Sequence, residues 1–311
     1  MSSLLRSLAL SAVGAFSLTG AAIAADLPVA PAEPVFIEEV PESAFDITFG
    51  VTALSDYVFR GISQTDRDPA IQGFAEATYS MFYLGVFASN LDFEAPDPDV
   101  EIDIYGGIRP TIGPVTFDFG ALYYLYPRET QVFLDPVTGS AIYFPTGIPF
   151  TLSDTDFLEI YGKVSWTVNS YLTLGAGVFY ADDFLNTGAD GTYASGTAKL
   201  TMPSAWFPTD YGAYVSGELA RYWFGTTDNP VLPGIDLPDY TYWNIGVAFT
   251  YKALTVDLRY HDTDLSRGEC FVLTGDLRGL PGGKGPLNSS KWCGEAFIAK
   301  VAFDTTLGAL K

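Results

Sequence analysis

The sequence predicts an all-β fold, an antiparallel up-and-down transmembrane β-barrel of about twelve strands. The first observation is a period of two in VEIDIYGGIRP, residues 100–110, where apolar and charged side chains alternate. The second is a regular change between short and long connections along the chain. The third is a composition that is apolar without a long apolar run. Together these observations favour strands that cross a membrane and close into a barrel.

The two faces of the stretch 100–110 differ in chemistry. Successive side chains leave a strand on opposite faces. The apolar face holds Val100, Ile102, Ile104 and Ile108, and the charged face holds Glu101, Asp103 and Arg109. Each of these charges would cost several kcal/mol if it were buried unpaired and away from water. We therefore expect the apolar face to contact lipid and the charged face to line an aqueous lumen.

The composition fits a membrane barrel better than a soluble domain. Hydrophobic residues make up 48% of the chain and charged residues 17%, below the usual quarter or so for soluble domains. Aromatic residues make up 15%, and the mean hydropathy is +0.18. After the N-terminus no apolar run approaches the ~20 residues that a membrane helix needs. In a barrel only alternate residues face lipid, so the hydropathy averages out.

The N-terminus predicts export of the chain, which the barrel layout described below directs to the bacterial outer membrane. Arg6 precedes an apolar stretch of about 15 residues, and Ala22–Ala24 then forms an A-x-A cleavage site. We therefore assign residues 1–24 to a signal peptide. Residues 25–43 hold four prolines and five acidic residues without periodicity, which indicates an extended periplasmic tail.

Period-two patterns recur from residue 44 to residue 304, without an apolar stripe of helical period and without heptads. The predicted strands are 45–58, 70–80, 82–92, 100–110, 114–127, 157–168, 171–182, 192–202, 210–223, 240–251, 254–263 and 295–304. Residues 44–304 are therefore assigned to the barrel. Residues 305–311 are expected to form a short C-terminal tail.

The connections between these strands alternate in length. Short turns are expected at 80–81, 111–114, 169–170, 203–209 and 252–253. Longer loops are expected at 59–69, 93–99, 128–156, 183–191, 225–239 and 264–294. This places both termini on the short-turn side, the layout of an outer-membrane barrel. A soluble β-sandwich also alternates, but the strand lengths and the aromatic clusters near strand ends, such as Tyr222–Phe224, disfavour it.

Parity assigns a set of charged side chains to the lumen. The candidates for pore-lining residues are Glu101, Asp103, Arg109, Asp118, Glu159, Lys163, Lys199, Glu218, Asp257, Arg259 and Lys300. With Asp46 and Glu76 added, the inner face has eight acids against five bases, and we expect a mild preference for cations. A twelve-stranded barrel is only somewhat wider than the barrels that side chains fill, so inward Phe74 and Tyr105 are candidates for plugging it.

Two cysteines and one histidine limit the chemistry of the chain. In an exported protein Cys270 and Cys293 predict a disulfide, with two free thiols as the alternative. His261 is the only histidine, and a hydrolase would need it as a general base beside Ser266 and Asp262. The chain has no G-x-S-x-G motif, so we expect a polar lumen histidine and no enzyme.

No cofactor or metal ion is predicted, and nucleic acid is not expected as a partner. One histidine cannot build a zinc site of the Cys/His type. Asp92, Glu94, Asp97 and Asp99 crowd one loop and offer oxygen ligands for Ca²⁺ or Mg²⁺, but a solvated acidic loop is favoured. GLPGGKGP, residues 279–286, lacks the spacing of a phosphate-binding loop. The formal net charge of −21 argues against nucleic acid, whose phosphates are neutralised by Lys and Arg.

The stretch SDYVFRGISQ, residues 55–64, resembles the opening hairpin of the TorF-family porins of bacterial outer membranes. The matching residues are Ser55, Asp56, Tyr57, Phe59, Arg60, Gly61, Ser63 and Gln64. EIDIYGGI, residues 101–108, also resembles that family's next strand. The close match covers residues 45–125, and the remainder agrees in strand layout. The resemblance implies a Gram-negative outer-membrane barrel that forms a pore.

The function predicted from these observations is passive diffusion of small hydrophilic solutes or ions through a monomeric barrel. The expected partners are outer-membrane lipid and lipopolysaccharide, the solutes themselves and the barrel-assembly machinery, for which Phe303 would be the C-terminal aromatic signal. The alternative is a closed barrel whose extracellular loops have a structural or adhesion role.

Overall fold

The computed structural model describes residues 45–93, 98–142, 145, 147–276, 278 and 290–310. The predicted signal peptide, residues 1–24, and the predicted tail, residues 25–43, lie outside the described residues. Glu94 and Asp97 of the acidic loop also lie outside them, as does the stretch 279–286.

Twelve long strands form one closed antiparallel sheet. Each strand pairs with its neighbours in the chain, and the last strand pairs with the first, for example through Val51 and Phe303. The strands are β1 Phe45–Leu54, β2 Ala70–Tyr79, β3 Phe82–Asn90, β4 Val100–Ile108, β5 Val115–Leu125, β6 Phe157–Thr167, β7 Leu172–Ala181, β8 Gly191–Thr201, β9 Tyr211–Phe224, β10 Tyr240–Tyr251, β11 Leu254–Thr263 and β12 Ala296–Thr306. The predicted all-β antiparallel barrel of twelve strands is confirmed.

The alternation of side chains follows the predicted parity on β4. Ile104 and Ile108 are 49% and 37% exposed on the outer surface, whereas Glu101 and Asp103 are 2% and 3% exposed inside the barrel. Because the sheet closes on itself, the two faces of every strand meet two different environments. The outer face is apolar and the inner face is polar, as a lipid-facing barrel requires.

The largest difference from the predicted strand ends is at the first strand. The sequence pattern extends this strand to residue 58, whereas β1 ends at Leu54. Residues 55–69 instead leave the sheet and fold into the lumen, where they form a small hairpin from Val58–Phe59 and Ile62–Ser63. Tyr57 and Val58 are apolar, so the sequence alone does not show that the strand has already ended.

Inward tyrosines fill much of the space inside the barrel, and glycines on neighbouring strands make room for them. A Cβ atom added at Gly85 would lie 2.2 Å from Cζ of Tyr105, which is only 2% exposed. A Cβ atom at Gly120 would lie 2.6 Å from Oη of Tyr161. The rings therefore lie across glycine backbone, and the core of this protein is the inside of its barrel.

The longer loops contain further regular structure. Three short strands, Phe133–Leu134, Ala141–Ile142 and Ile148–Pro149, pair within the loop between β5 and β6. An α-helix, α1, spans Arg267–Thr274 in the loop between β11 and β12.

Helix α1 was not predicted, because eight residues are too few to show a helical period. Its signal lies in its ends. Ser266 and Glu269 form a capping box, and Gly275 closes the helix with a left-handed backbone. The hydrogen bonds from Ser266 lower the pKa of the Glu269 carboxyl.

No helix in the described part of the chain combines the length and the apolar character needed to cross a membrane.

Candidate functional site

The structure places all eleven predicted pore-lining residues on the inner face of the barrel. Eight of them are buried, namely Glu101, Asp103, Asp118, Glu159, Lys199, Glu218, Asp257 and Arg259. Arg109, Lys163 and Lys300 are partly exposed. Their role in lining a pore stays a prediction, and several of them form ion pairs with residues on the same or a neighbouring strand.

A first group of inward charges lies towards the short-turn side of the barrel. Arg109 binds Glu76 through Nη1 and Nη2, at 2.9 and 3.3 Å, and its Nε contacts Asp118 at 3.2 Å. Nζ of Lys163 also contacts Asp118, at 3.1 Å. The phenol of Tyr83 donates to the same carboxylate. We call Glu76, Arg109, Asp118 and Lys163 the inner cluster.

A second group of inward polar residues lies on β9, β10 and β11. Arg259 binds Asp257 at 2.9 Å and also donates to Asn244 at 2.6 Å and to the hydroxyl of Ser216 at 2.7 Å. Asn244 in turn donates to Glu218 at 3.2 Å. Acid and base thus neutralise each other along this wall, which reduces the net field that a free ladder of charges would produce.

The inward hairpin, residues 55–69, enters the lumen from the long-loop side. Arg60 and Gly61 both have positive φ, at 47° and 91°, as the two central residues of a type I′ turn require. Asp56 holds the two arms together by accepting hydrogen bonds from Ser63 at 2.6 Å and Thr65 at 3.2 Å. The tip of the hairpin therefore presents Arg60 to the opposite wall.

Arg60 forms a fully enclosed ion pair with Glu159 of β6. Its Nη1 and Nη2 atoms each lie 2.7 Å from one carboxylate oxygen, and both side chains are 0% exposed. A planar guanidinium matches the two oxygens of a carboxylate in this way. Tyr124 donates to the same carboxylate at 3.0 Å, and Arg60 also donates to the hydroxyl of Tyr222 at 2.8 Å.

Aromatic rings surround the Arg60 guanidinium. The rings lie with their centroids 4.4 to 5.0 Å from Cζ and belong to Phe59, Phe179, Tyr193 and Tyr222. Such distances are within the range of a cation–π interaction. We call Glu159 and these four rings the Arg60 cage.

The inward hairpin is fixed from above by the long loop between β11 and β12. Ile62 forms an isolated bridge with Cys293, and Arg67 donates to the carbonyl oxygens of Lys291 and Trp292 at 3.0 and 3.1 Å. Cys293 is joined to Cys270 of α1 by a disulfide, with the two Cα atoms 5.9 Å apart. The cysteine pairing that the sequence predicts thus lies directly above the inward hairpin.

Sequence reasoning missed the pairing of Arg60 with Glu159. Parity assigns directions within strands, and it says nothing about a loop that turns back into the barrel. The two residues are 99 positions apart, so no local pattern connects them. The available signal was the resemblance of residues 55–64, which includes Arg60 among its matching positions.

His261 lies in a setting that differs from a hydrolase site. Its Nδ1 atom is 2.7 Å from the hydroxyl of Tyr242, and the two rings stack with their planes 17° apart. Ser266 accepts a hydrogen bond from the backbone of Glu269 as the cap of α1. The histidine is part of the buried wall, and the serine is part of a helix end.

Three carboxylates on the long loop between β5 and β6 are close enough to share a metal ion. Glu129, Asp154 and Asp156 have oxygen atoms within 4.8 Å of one another. Burial raises the pKa of the Glu129 carboxyl, although hydrogen bonds from Thr155 act in the opposite direction. These hydrogen bonds already give Glu129 a structural role in joining the two ends of the loop, and we assign no ion to the group.

The chain belongs to the Gcw_chp family, described as bacterial proteins of unknown function, whose model matches residues 38–274. The match includes the inward hairpin and most of the barrel. The resemblance to TorF-family porins stays a prediction. No curated protein matches the chain.

Several solved structures are similar to the chain at low identity. A NanC porin is 11% identical over 83% of this chain and 98% of its own, with a TM-score of 0.41. The toluene transporter TodX of Pseudomonas putida is 10% identical over 86% of this chain and 89% of its own, with a TM-score of 0.38. OprB of Pseudomonas putida is 12% identical over 81% of this chain and 61% of its own, with a TM-score of 0.34.

Proposed function

We propose that this protein is a channel of the bacterial outer membrane that conducts small hydrophilic solutes or ions. The observation that carries the proposal is a closed sheet of twelve strands with an apolar outer face and an inner face rich in charged residues. Lipid satisfies the outer face, and the polar inner face suits water and hydrophilic solutes.

The inward hairpin makes this channel one with a closed state. The Arg60–Glu159 pair lies across the long-loop half of the lumen, and neither side chain is accessible to water. Conduction therefore requires the hairpin to move away from β6. We infer that the ion pair between Arg60 and Glu159 keeps the channel closed.

The test is single-channel recording of residues 25–311 refolded in detergent and inserted into a planar bilayer with a KCl gradient. The key variant is Arg60→Gly, because glycine accepts the positive φ at this position and removes the ion pair with Glu159. We expect brief, rare openings of the wild type and at least a tenfold higher open probability of the variant. Arg267→Ala, on the exposed start of α1, is the matched control and should behave as the wild type. Equal open probabilities for all three proteins would contradict the role of the hairpin.

The same recordings test the ion preference. The excess of inward acids over inward bases supports a mild preference for cations, whereas the pairing of Arg109, Lys163 and Arg259 with acids weakens it. A reversal potential on the anion side would contradict this part of the proposal. An anion preference would not contradict the proposed channel itself.

A closed barrel with a structural or adhesion role is the second candidate. The observation that favours it is the complete burial of the Arg60–Glu159 pair. If both the wild type and Arg60→Gly insert into the bilayer and neither passes current, this second function replaces the first.

A further inference from the structure

The wall of the barrel supplies nearly all of the Arg60 cage. Glu159 lies on β6, Phe179 on β7, Tyr193 on β8 and Tyr222 on β9, which are four consecutive strands of the sheet. Among the cage members only Phe59 comes from the inward hairpin. The cage would therefore keep its carboxylate and three of its four rings if the hairpin moved out of the lumen.

Without Arg60, the cage would be an aromatic box around a carboxylate that lacks its cation. Glu159 is 0% exposed and accepts hydrogen bonds from Tyr124 and Tyr222, but these neutral groups carry no positive charge. A buried carboxylate retains its charge only when a cation or several hydrogen bonds compensate it. The site thus favours a cation as its occupant.

The geometry of the site selects the kind of cation. Rings attract a cation through their faces, and they favour cations that lose their hydration shell easily. The two oxygens of Glu159 each accept one hydrogen bond at 2.7 Å from the same planar group. Na⁺, K⁺ and a compact ammonium are strongly hydrated or lack the planar pair of donors, so a guanidinium group fits best.

We propose that the Arg60 cage is a binding site for small solutes that carry a guanidinium group, and that Arg60 is an internal occupant that competes with them. This inference rests on the proposed channel, because the solute would reach the cage through the lumen. Displacing Arg60 would both bind the solute and release the hairpin, so the same step would couple solute recognition to opening.

The experiment measures binding to the cage by thermal unfolding, without any measurement of current. Arg60→Gly is refolded in detergent and heated with and without methylguanidinium at millimolar concentration, with unfolding followed by circular dichroism. We expect a rise of several degrees in Tm, because a ligand that binds only the folded state stabilises it. The wild type, whose cage is occupied, should shift by less than a third as much.

Three comparisons decide what causes a shift. Arg60→Gly combined with Glu159→Gln should lose it, and Arg60→Lys, which keeps a cation on the hairpin, should show little of it. Tetramethylammonium, which can contact rings but cannot bind both carboxylate oxygens, should shift the Tm of Arg60→Gly less than methylguanidinium does. A shift that survives Glu159→Gln, or a larger shift with tetramethylammonium, would overturn the assignment.

Should Arg60→Gly fail to fold alone, the yield of folded barrel on refolding replaces the Tm as the readout. Folded barrel is recognised by its faster mobility on an unheated denaturing gel. Recovery of the yield by methylguanidinium, and not by potassium, would support the site, and no recovery would overturn it. If neither the wild type nor Arg60→Gly passes current but methylguanidinium binds, the proposed conduction alone would be rejected.

Discussion

The two halves of the lumen are both rich in charge, but they are held in different ways. In the long-loop half, Arg60 comes from the inward hairpin, and it and Glu159 are 0% exposed. In the short-turn half, the inner cluster belongs to the strands and one tight connection, and Arg109 and Lys163 remain 19% and 10% exposed. The long-loop half is thus closed by the inward hairpin, which is not part of the sheet. The short-turn half is narrowed by side chains of the barrel wall itself.

The two halves of the lumen also differ in how many ion pairs hold them. The inner cluster has two bases and two acids that share partners, so the loss of one contact leaves others in place. The Arg60 cage has one cation and one carboxylate, together with neutral rings. Stability and opening should therefore respond most strongly to changes in the long-loop half.

The largest expected effect comes from Glu159→Gln compared with Glu76→Gln. Removing one partner of a buried ion pair costs about 3–5 kcal/mol, since the other charge stays buried. We expect a loss of this size for Glu159→Gln. Arg109 keeps Asp118 at 3.2 Å and is partly exposed, so we expect less than half that loss for Glu76→Gln.

Urea unfolding of the refolded barrel in lipid vesicles measures both free energies. Mobility on an unheated gel before each titration shows that the two variants have folded. Equal losses of free energy of unfolding would show that the two halves depend equally on single ion pairs, which would contradict this prediction.

The wall of the barrel is predictable from the sequence, because each strand repeats a simple physical rule. Ile104 and Glu101 are three positions apart and have opposite parity, so lipid and lumen separate them. Closure of the sheet follows from the even strand number and the alternating loops. The assignment of faces depends only on positions within each strand, whereas closure also joins the first and last strands, for example through Val51 and Phe303.

The position of the inward hairpin is not predictable from the sequence in this way. The sequence pattern places Arg60 in a loop, and it places its partner Glu159 on the inner face as one of many acidic residues. Only the folded chain brings them together across the barrel, and the enclosing rings come from three further strands. A charge pattern identifies an inner face, but the pairing on that face is set by packing.

The second effect in size concerns the disulfide above the inward hairpin. Replacing both Cys270 and Cys293 by serine opens a loop with a sequence separation of 23 residues. By the chain-entropy relation this costs about 3 kcal/mol. Because Ile62 pairs with Cys293, we also expect faster amide hydrogen exchange in the hairpin, while the inner cluster keeps its protection.

Hydrogen exchange followed by mass spectrometry compares the two halves directly. Reductant should produce the same change in the wild type and no change in the double variant. Uniformly faster exchange across the barrel would show that the disulfide stabilises the whole sheet and not the long-loop half in particular.

The smallest expected effect comes from removing one hydroxyl in each half. Tyr222→Phe removes an acceptor 2.8 Å from Arg60 and a donor 3.4 Å from Glu159. Tyr83→Phe removes a donor to Asp118 and a contact to Tyr161 at 2.6 Å. Each change should cost about 1 kcal/mol, since the charged partner keeps other contacts. Urea unfolding should therefore rank the two variants as equals. Amide exchange in the inward hairpin should differ between them, because only Tyr222→Phe removes a contact between Arg60 and the barrel wall. Faster exchange of the hairpin in Tyr83→Phe would instead show that the two halves are coupled.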